Sequence, residues 1–311
     1  MENNRKTEVV GIGAVVYDVL MTADTFPQED TKLIATGMKT QCGGPEATAL
    51  VAISKMGVQA EHFGTLGDDA YGNYVLGEMR RFGIKTGRVR QVKGASSFFS
   101  LVLLNIATTS RTCIVDRGNA PMPSEDDLDT ETLKNAKYLH VDGNQLDFAI
   151  LAAKKAHEFG VKVSYDAGGT YKGVENLLPW VDVLIPSEEY ALKITESGTA
   201  VEAAAKLYER YNPEILIITQ GSRGGFIWQN DREVRYPVFP VNAIDSNGAG
   251  DTFHGAFVAA KVKGMDTYEA ACFASATSAL KCTRFGAQEG IPQFDEVVEF
   301  MKTNPGEIRR G

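Results

Sequence analysis

At 311 residues, 43% of them hydrophobic and 23% charged, the chain can bury a full core as one large α/β domain, alone or with a small appendage. Its net charge of −8 argues against nucleic-acid binding as the main job, since a phosphate backbone calls for a basic face. Cys42, Cys113, Cys272 and Cys282 show neither Cys-x-x-Cys spacing nor nearby paired histidines, so reduced thiols in a cytoplasmic protein are expected rather than zinc ligands; Met1 to Thr7 is polar with no apolar signal core behind it, and no window approaches membrane-spanning length.

In chain order, Glu8-Val9-Val10-Gly11-Ile12-Gly13 reads as a buried strand ending in a glycine turn. It is not a dinucleotide fingerprint, because Val16 stands where the third glycine belongs and no helix opens there. Loose alternation from Thr31 to Thr40 predicts a strand, best at Thr31 to Thr36, and Ser96 to Asn105 and Arg111 to Arg117 are strand-like as well. These segments interrupt an otherwise α/β-alternating chain, and a small sheet projecting from the main domain would explain them. Between them Gly43-Gly44-Pro45 opens a helix and Gly57 stops it. Gly64 to Gly72 marks a strand-to-helix loop, followed by a helix through Met79.

From residue 137 the alternation is regular. Strands are predicted at Tyr138 to Val141, Val161 to Tyr165, Val181 to Ile185 and Ile215 to Thr219, with amphipathic helices at Phe148 to Glu158, Glu188 to Thr195 and Val201 to Tyr211. Such spacing implies a parallel sheet covered on both faces, with ligands at the carboxyl ends of its strands, where Asp142, Asp166, Ser187 and Gln220 lie. Thr219-Gln220-Gly221-Ser222-Arg223-Gly224 then ends a strand with a glycine turn ahead of a hairpin. No Gly-x-x-x-x-Gly-Lys-Ser/Thr occurs, so this is not a P-loop protein.

The densest chemical signal is Asp245-Ser246-Asn247-Gly248-Ala249-Gly250-Asp251-Thr252-Phe253, set between an extended run and the helix-favouring Ala256 to Val262. Glycines at a helix start let main-chain N–H groups converge on one point, which the helix dipole also favours for an anion. Asp251 is the odd member: it is either a capping residue or a group that takes a proton from an alcohol attacking a bound phosphate. A helix N-terminus lowers a carboxylate's pKa, so Asp251 is expected to be a weak base, with proton transfer late. His254 reads as a packed or surface residue rather than a catalyst.

Asp245 to Phe253 resembles the C-terminal signature of the ribokinase-like (PfkB) carbohydrate kinases, roughly D-T-x-G-A-G-D-x-F. The resemblance spans about Val9 to Phe300. It implies a three-layer α/β/α sandwich with a mostly parallel central sheet, built as a single kinase domain over 1–311. Lid strands would lie at about 15–40 and 95–117, covering the sugar and inviting a homodimer through their exposed edges. It further implies transfer of the ATP γ-phosphoryl group to a hydroxyl of a small carbohydrate, with Asp251 as base and the amides of Gly248, Ala249 and Gly250 as anion hole. Asp18 would bond sugar hydroxyls beside Gly43 and Gly44, which resemble the family's G-G-x-x-x-N-x-A stretch with Thr48 in place of its asparagine.

Thr219, Gly221 and Gly224 match the nucleotide loop T-x-G-x-x-G. Pro186-Ser187-Glu188-Glu189-Tyr190 matches N-x-x-E only in part, so Glu188 or Glu189 would serve Mg²⁺, and Asp245 would ligate a monovalent cation such as K⁺. Gly-Gly-Pro-x-Ala-Thr-Ala and Ala279 to Arg284 are nearest in wording to the sulfofructose kinase branch. Lys32 matches a basic lid position there, but Asn144 stands where that branch has its sulfonate-gripping arginine. Two rivals remain on sequence: a nucleoside kinase of the same fold, and a binder of sugar or nucleotide that has lost catalysis.

Overall fold

A computed structural model describes residues 6–108 and 110–309. The strands are β1 Val9–Ile12, β2 Val16–Ala23, β3 Gly37–Gly43, β4 Ala60–Gly67, β5 Lys85–Val92, β6 Phe99–Asn105, β7 Arg111–Asp116, β8 Tyr138–Val141, β9 Lys162–Ala167, β10 Val183–Pro186, β11 Ile215–Thr219, β12 Gly225–Gln229 and β13 Arg232–Arg235. The helices are α1 Pro45–Lys55, α2 Ala70–Arg81, α3 Thr130–Asn135, α4 Leu146–Phe159, α5 Glu188–Thr195, α6 Ala200–Tyr211, α7 Ala249–Val262, α8 Thr267–Cys282 and α9 Phe294–Thr303.

Nine strands form the main sheet in the order β13-β12-β11-β10-β9-β8-β1-β4-β5. The run from β11 to β5 is parallel, and only the terminal hairpin is antiparallel. Alternation along the strands builds the three layers. Val9, Ile215 and Ile217 face a core shared with α1, α7 and α8, while Val10, Leu216 and Ile218 face another shared with α4, α5 and α6. The expected α/β/α sandwich is therefore present.

A second, smaller sheet is ordered β3-β2-β6-β7, with β2 and β6 parallel at its centre; it is the sheet expected as a lid and is called the lid below. Here the structure departs from the sequence reading. Pairing of β3 with β2 begins only at Gly37 opposite Thr22, so Thr31 to Thr36 is not a strand. That segment turns on Thr31 Oγ1 bonding Gln28 O (2.7 Å), and it leaves Leu33 and Ile34 exposed because no strand lies beside it. Lys32 falls in this stretch and is exposed to solvent.

The contact that sets the site is α1 against α7. A Cβ on Gly255 would stand 2.2 Å from Ala49 O and 2.8 Å from Ala52 Cβ, so the two backbones approach as only a glycine allows. Gly255→Val is expected to destabilise the fold by about 3 kcal/mol or more through overpacking against main chain, read as a lower midpoint in urea.

Candidate active site

α7 opens on Gly248, whose φ of +75° suits a residue without a Cβ. The loop's donors are not equivalent. Ala249 N–H turns back to Ser246 O (3.1 Å), whereas among the described residues the Gly248 and Gly250 amides have no hydrogen-bond partner. Unpaired amides at a helix start fit an anion.

Asp251 follows in the first turn. Its side chain keeps an opening to solvent, yet the surrounding protein and the charge of Asp142 push its pKa up to about 7. This corrects the expected weak base: loss of water and a like charge outweigh the helix dipole. Behind it sit two more acids. Asp142 is buried and accepts N–H bonds from Ala14 (2.9 Å), Glu46 (3.1 Å) and Asn144 (2.8 Å), which offset part of its desolvation. Buried Asp166 has its pKa raised by burial and by the charges of Asp251 and Asp142. His254, one turn along α7, is buried with Nε2 3.1 Å from Asp166 Oδ1, a packed position as read from sequence.

Asp18 faces this region from β2, in register with Gln41 on β3 and Ser100 on β6. Burial lifts its pKa to about 6, while Gln41, Ser100 and Arg111 lower it. Arg111, on the lid strand β7, donates to Asn247 Oδ1 (2.9 Å), and its charge also lowers the pKa of Asp251. One lid guanidinium thus joins the Asp18 side to the Asp251 side. A Cβ on Gly43 would lie 2.0 Å from Asp18 Oδ2, and Gly44, at φ +103°, packs against Ala14 O.

Thr48, which stands in place of the asparagine, lies against the start of α7, where a Cβ on Gly248 would be 3.3 Å from its Cγ2. It is buried, and its Oγ1 accepts from Gln288 Nε2 (3.4 Å). Asn144 accepts from Arg117 Nη1 (3.3 Å) and donates to the Tyr171 hydroxyl (3.0 Å), so an arginine does reach this position, but from the end of the lid.

At the end of β11, Gly221 and Gly224 have φ of +58° and +86°, and Gln220 N–H closes the loop onto Gly224 O (2.7 Å). Thr219 Oγ1 donates to Pro186 O (3.4 Å), tying the end of β11 to the end of β10. Glu188 is held by Gln220 Nε2 (2.7 Å) and by Arg223, whereas Glu189 is exposed. The Asp245 carboxylate accepts from Asn247 N–H (2.9 Å) and Gly286 N–H (2.8 Å), fastening the α7 entry loop to the closing loop after α8.

Similarity to known proteins gives the family. The family described as pfkB family carbohydrate kinase matches residues 6–293. The chain belongs to that family. It is an ATP-dependent sugar kinase, a phosphotransferase with an alcohol acceptor. Ribokinase of Bacillus subtilis is 28% identical over 301 residues, covering 93% of this chain and 98% of its own length. Deoxyribokinase of Salmonella typhi is 27% identical over 317 residues, covering 96% and 99%. The structure of Arabidopsis thaliana ribokinase complexed with ribose and ATP superposes with a TM-score of 0.85 at 25% identity, covering 96% of this chain and 99% of that one.

Arg111, Gln288 and Tyr171 were not singled out from sequence, because they act through partners 27 to 240 positions away, which no local pattern reports. Asn247 lay inside the α7 entry motif without an assigned partner, and Arg111 opens a predicted strand.

Proposed function

We propose that this kinase phosphorylates a small carbohydrate held by Asp18, Gly43 and Gly44. In this reading Asp251 accepts the hydroxyl proton, and the Gly248 and Gly250 amides meet the charge on the transferred phosphate. The observation carrying it is the pair of free amides beside a carboxyl with a raised pKa, joined through Arg111 to the lid that bears Asp18. Relatives named for ribose and deoxyribose support a sugar with a free hydroxyl. The Arg117, Asn144 and Tyr171 cluster supports a polar or anionic substituent on that sugar.

ATP would lie along Thr219, Gly221 and Gly224. Mg²⁺ neutralises phosphate charge when bound; among the described residues no three His, Cys, Asp or Glu side chains gather to hold it alone, which supports a cation carried by the phosphates and water. Glu188 is the acid nearest this loop's residues, through Gln220 and Arg223, and is the better placed of the two expected acids.

A coupled assay of ADP release across ketoses, aldoses, their phosphates and nucleosides tests the reading. Release that depends on a sugar or sugar phosphate is expected. Preference for a nucleoside, or release with none of them, would overturn it.

The lid leaves Met38 67%, Ile114 59% and Val115 55% exposed, which supports a homodimer formed lid against lid. Sedimentation should show a dimer that Ile114→Glu converts to monomer, and a monomeric parent protein at micromolar concentration would remove this part of the reading. Among the described residues no helix is long and apolar enough to cross a membrane. Four free thiols support a reducing, cytoplasmic location.

A further inference from the structure

Beside the anion hole lies a buried ammonium that the reading above does not use. Lys281, on the last turn of α8, has a fully buried side chain, and its Nζ donates to Asp245 O (2.9 Å) and to Asn247 O. The Asp245 carboxylate is 3.9 Å away. These oxygens flank the turn that presents the Gly248 and Gly250 amides. Main-chain carbonyls pointing at one place away from water need a cation or donors to offset their charge. A free monovalent ion with Asp245 as ligand, as expected from sequence, would have to share this place with Nζ, and two like charges would repel at that separation. The residues present therefore do not fit such an ion.

We propose that the Lys281 ammonium is a tethered cation which takes the place of a free monovalent ion and holds the Asp245 to Asn247 turn in its phosphate-binding form. The side chain reaches in from α8, whose end is further fixed to the same turn by Ile244 N–H and Asp245 N–H donating to Cys282 O (2.8 and 3.2 Å). Its charge also acts on Asp251, lowering that carboxyl's pKa against the effect of burial. Lys281 is thus a positioning residue: it touches the turn and not the reacting atoms. A free ion is lost by dilution or exchange, whereas a side-chain ammonium is present at every salt composition.

The test compares K⁺, Na⁺ and tetramethylammonium as the sole monovalent cation. The parent protein should turn over its sugar at rates within about twofold in all three, because nothing is left for K⁺ to occupy. Lys281→Met should lose roughly 10- to 100-fold in tetramethylammonium. Added K⁺, NH₄⁺ or methylammonium should restore much of that loss in a saturable way, which a merely structural lysine would not allow. Crystals soaked in Tl⁺ give a second readout: an anomalous peak between Asp245 and the Asn247 carbonyl is expected in Lys281→Met and not in the parent.

Activation of the parent by K⁺, a Tl⁺ peak there in the parent, an undiminished variant, or a loss that no cation relieves would each overturn the proposal. If the variant does not fold, the parent's cation dependence and Tl⁺ map still decide. The rate comparison rests on the sugar-kinase reading; the Tl⁺ map does not, so the two can fail separately.

Discussion

Asp251→Asn should cut kcat by about 10²-fold or more while ATP still binds, because the amide cannot take the hydroxyl proton and the anion hole is untouched. Single-turnover phosphorylation and ATP titration by calorimetry read the two effects apart. Near-normal turnover would remove Asp251 from its role. The parent's pH profile should show the same group. With the pKa of Asp251 raised to about 7, kcat/KM should climb as pH rises toward that value and level off above it. Asp18, at about 6, adds curvature on the acid side.

The same substitution makes a stability prediction of unusual sign. Asp251 titrates at 3.8 when unperturbed and at about 7 when folded, so the folded state favours its protonated form. Whatever stability the side chain contributes is fully present below about 4 and is lost as pH rises through 7. At pH 8 the partly desolvated charge, close to that of Asp142, is a burden that asparagine lacks. The variant should therefore melt higher than the parent at pH 8, by about 2 °C or more, and the gap should close as pH falls toward 4. A variant that melts lower at pH 8 would contradict the raised pKa of this carboxyl.

Gly43→Ala should weaken sugar binding while sparing the fold. The added methyl would lie 2.0 Å from Asp18 Oδ2, a side-chain atom that can swing aside. Swinging aside displaces the carboxylate from the hydroxyls it would bond. A misplacement of about 1 Å at a reacting centre can cost roughly 10²-fold, so kcat/KM for the sugar should fall by that order, mostly through KM. The melting temperature and ATP affinity should hardly move. Gly44→Ala is the contrasting case. Its methyl would lie 2.0 Å from Ala14 main-chain oxygen at a φ of +103°, and neither can yield, so stability itself should fall. Equal sugar kinetics for Gly43→Ala and the parent would detach Asp18 from substrate.

The parts legible in the sequence were those with local causes. The α7 entry was readable because a glycine at positive φ, a free amide and an acid fall within four consecutive positions. Alternation located β8 to β11 because those strands are buried on both faces and flanked by amphipathic helices. β5 went unseen: Lys85–Val92 is an edge strand with a register shift between its pairings at Lys85 and Arg88, which breaks the two-residue period, and its outward Arg88 and Arg90 pair with Asp129 and Asp127. The strand placed at Thr31 to Thr36 had suitable residues, but only Thr36 reaches β2, through its N–H to Thr22 O (2.7 Å), and pairing is not a local property. The buried charges were hidden for the same reason. Glu46 meets His62 (3.0 Å) and Asp142 meets the Ala14 amide across 128 positions, so nothing near either residue announces that it is inside.

The lid is sewn into the main body at few points, and this bears on where the chain can be altered. Its four strands leave between β1 and α1, then again between β5 and α3, while the stretches 24–36 and 106–108 hang beyond the last paired rungs. Those outer stretches carry no core side chain and no member of the catalytic group. They are where a protease should nick first, and where a foreign peptide could be grafted with the least harm to the rest of the molecule.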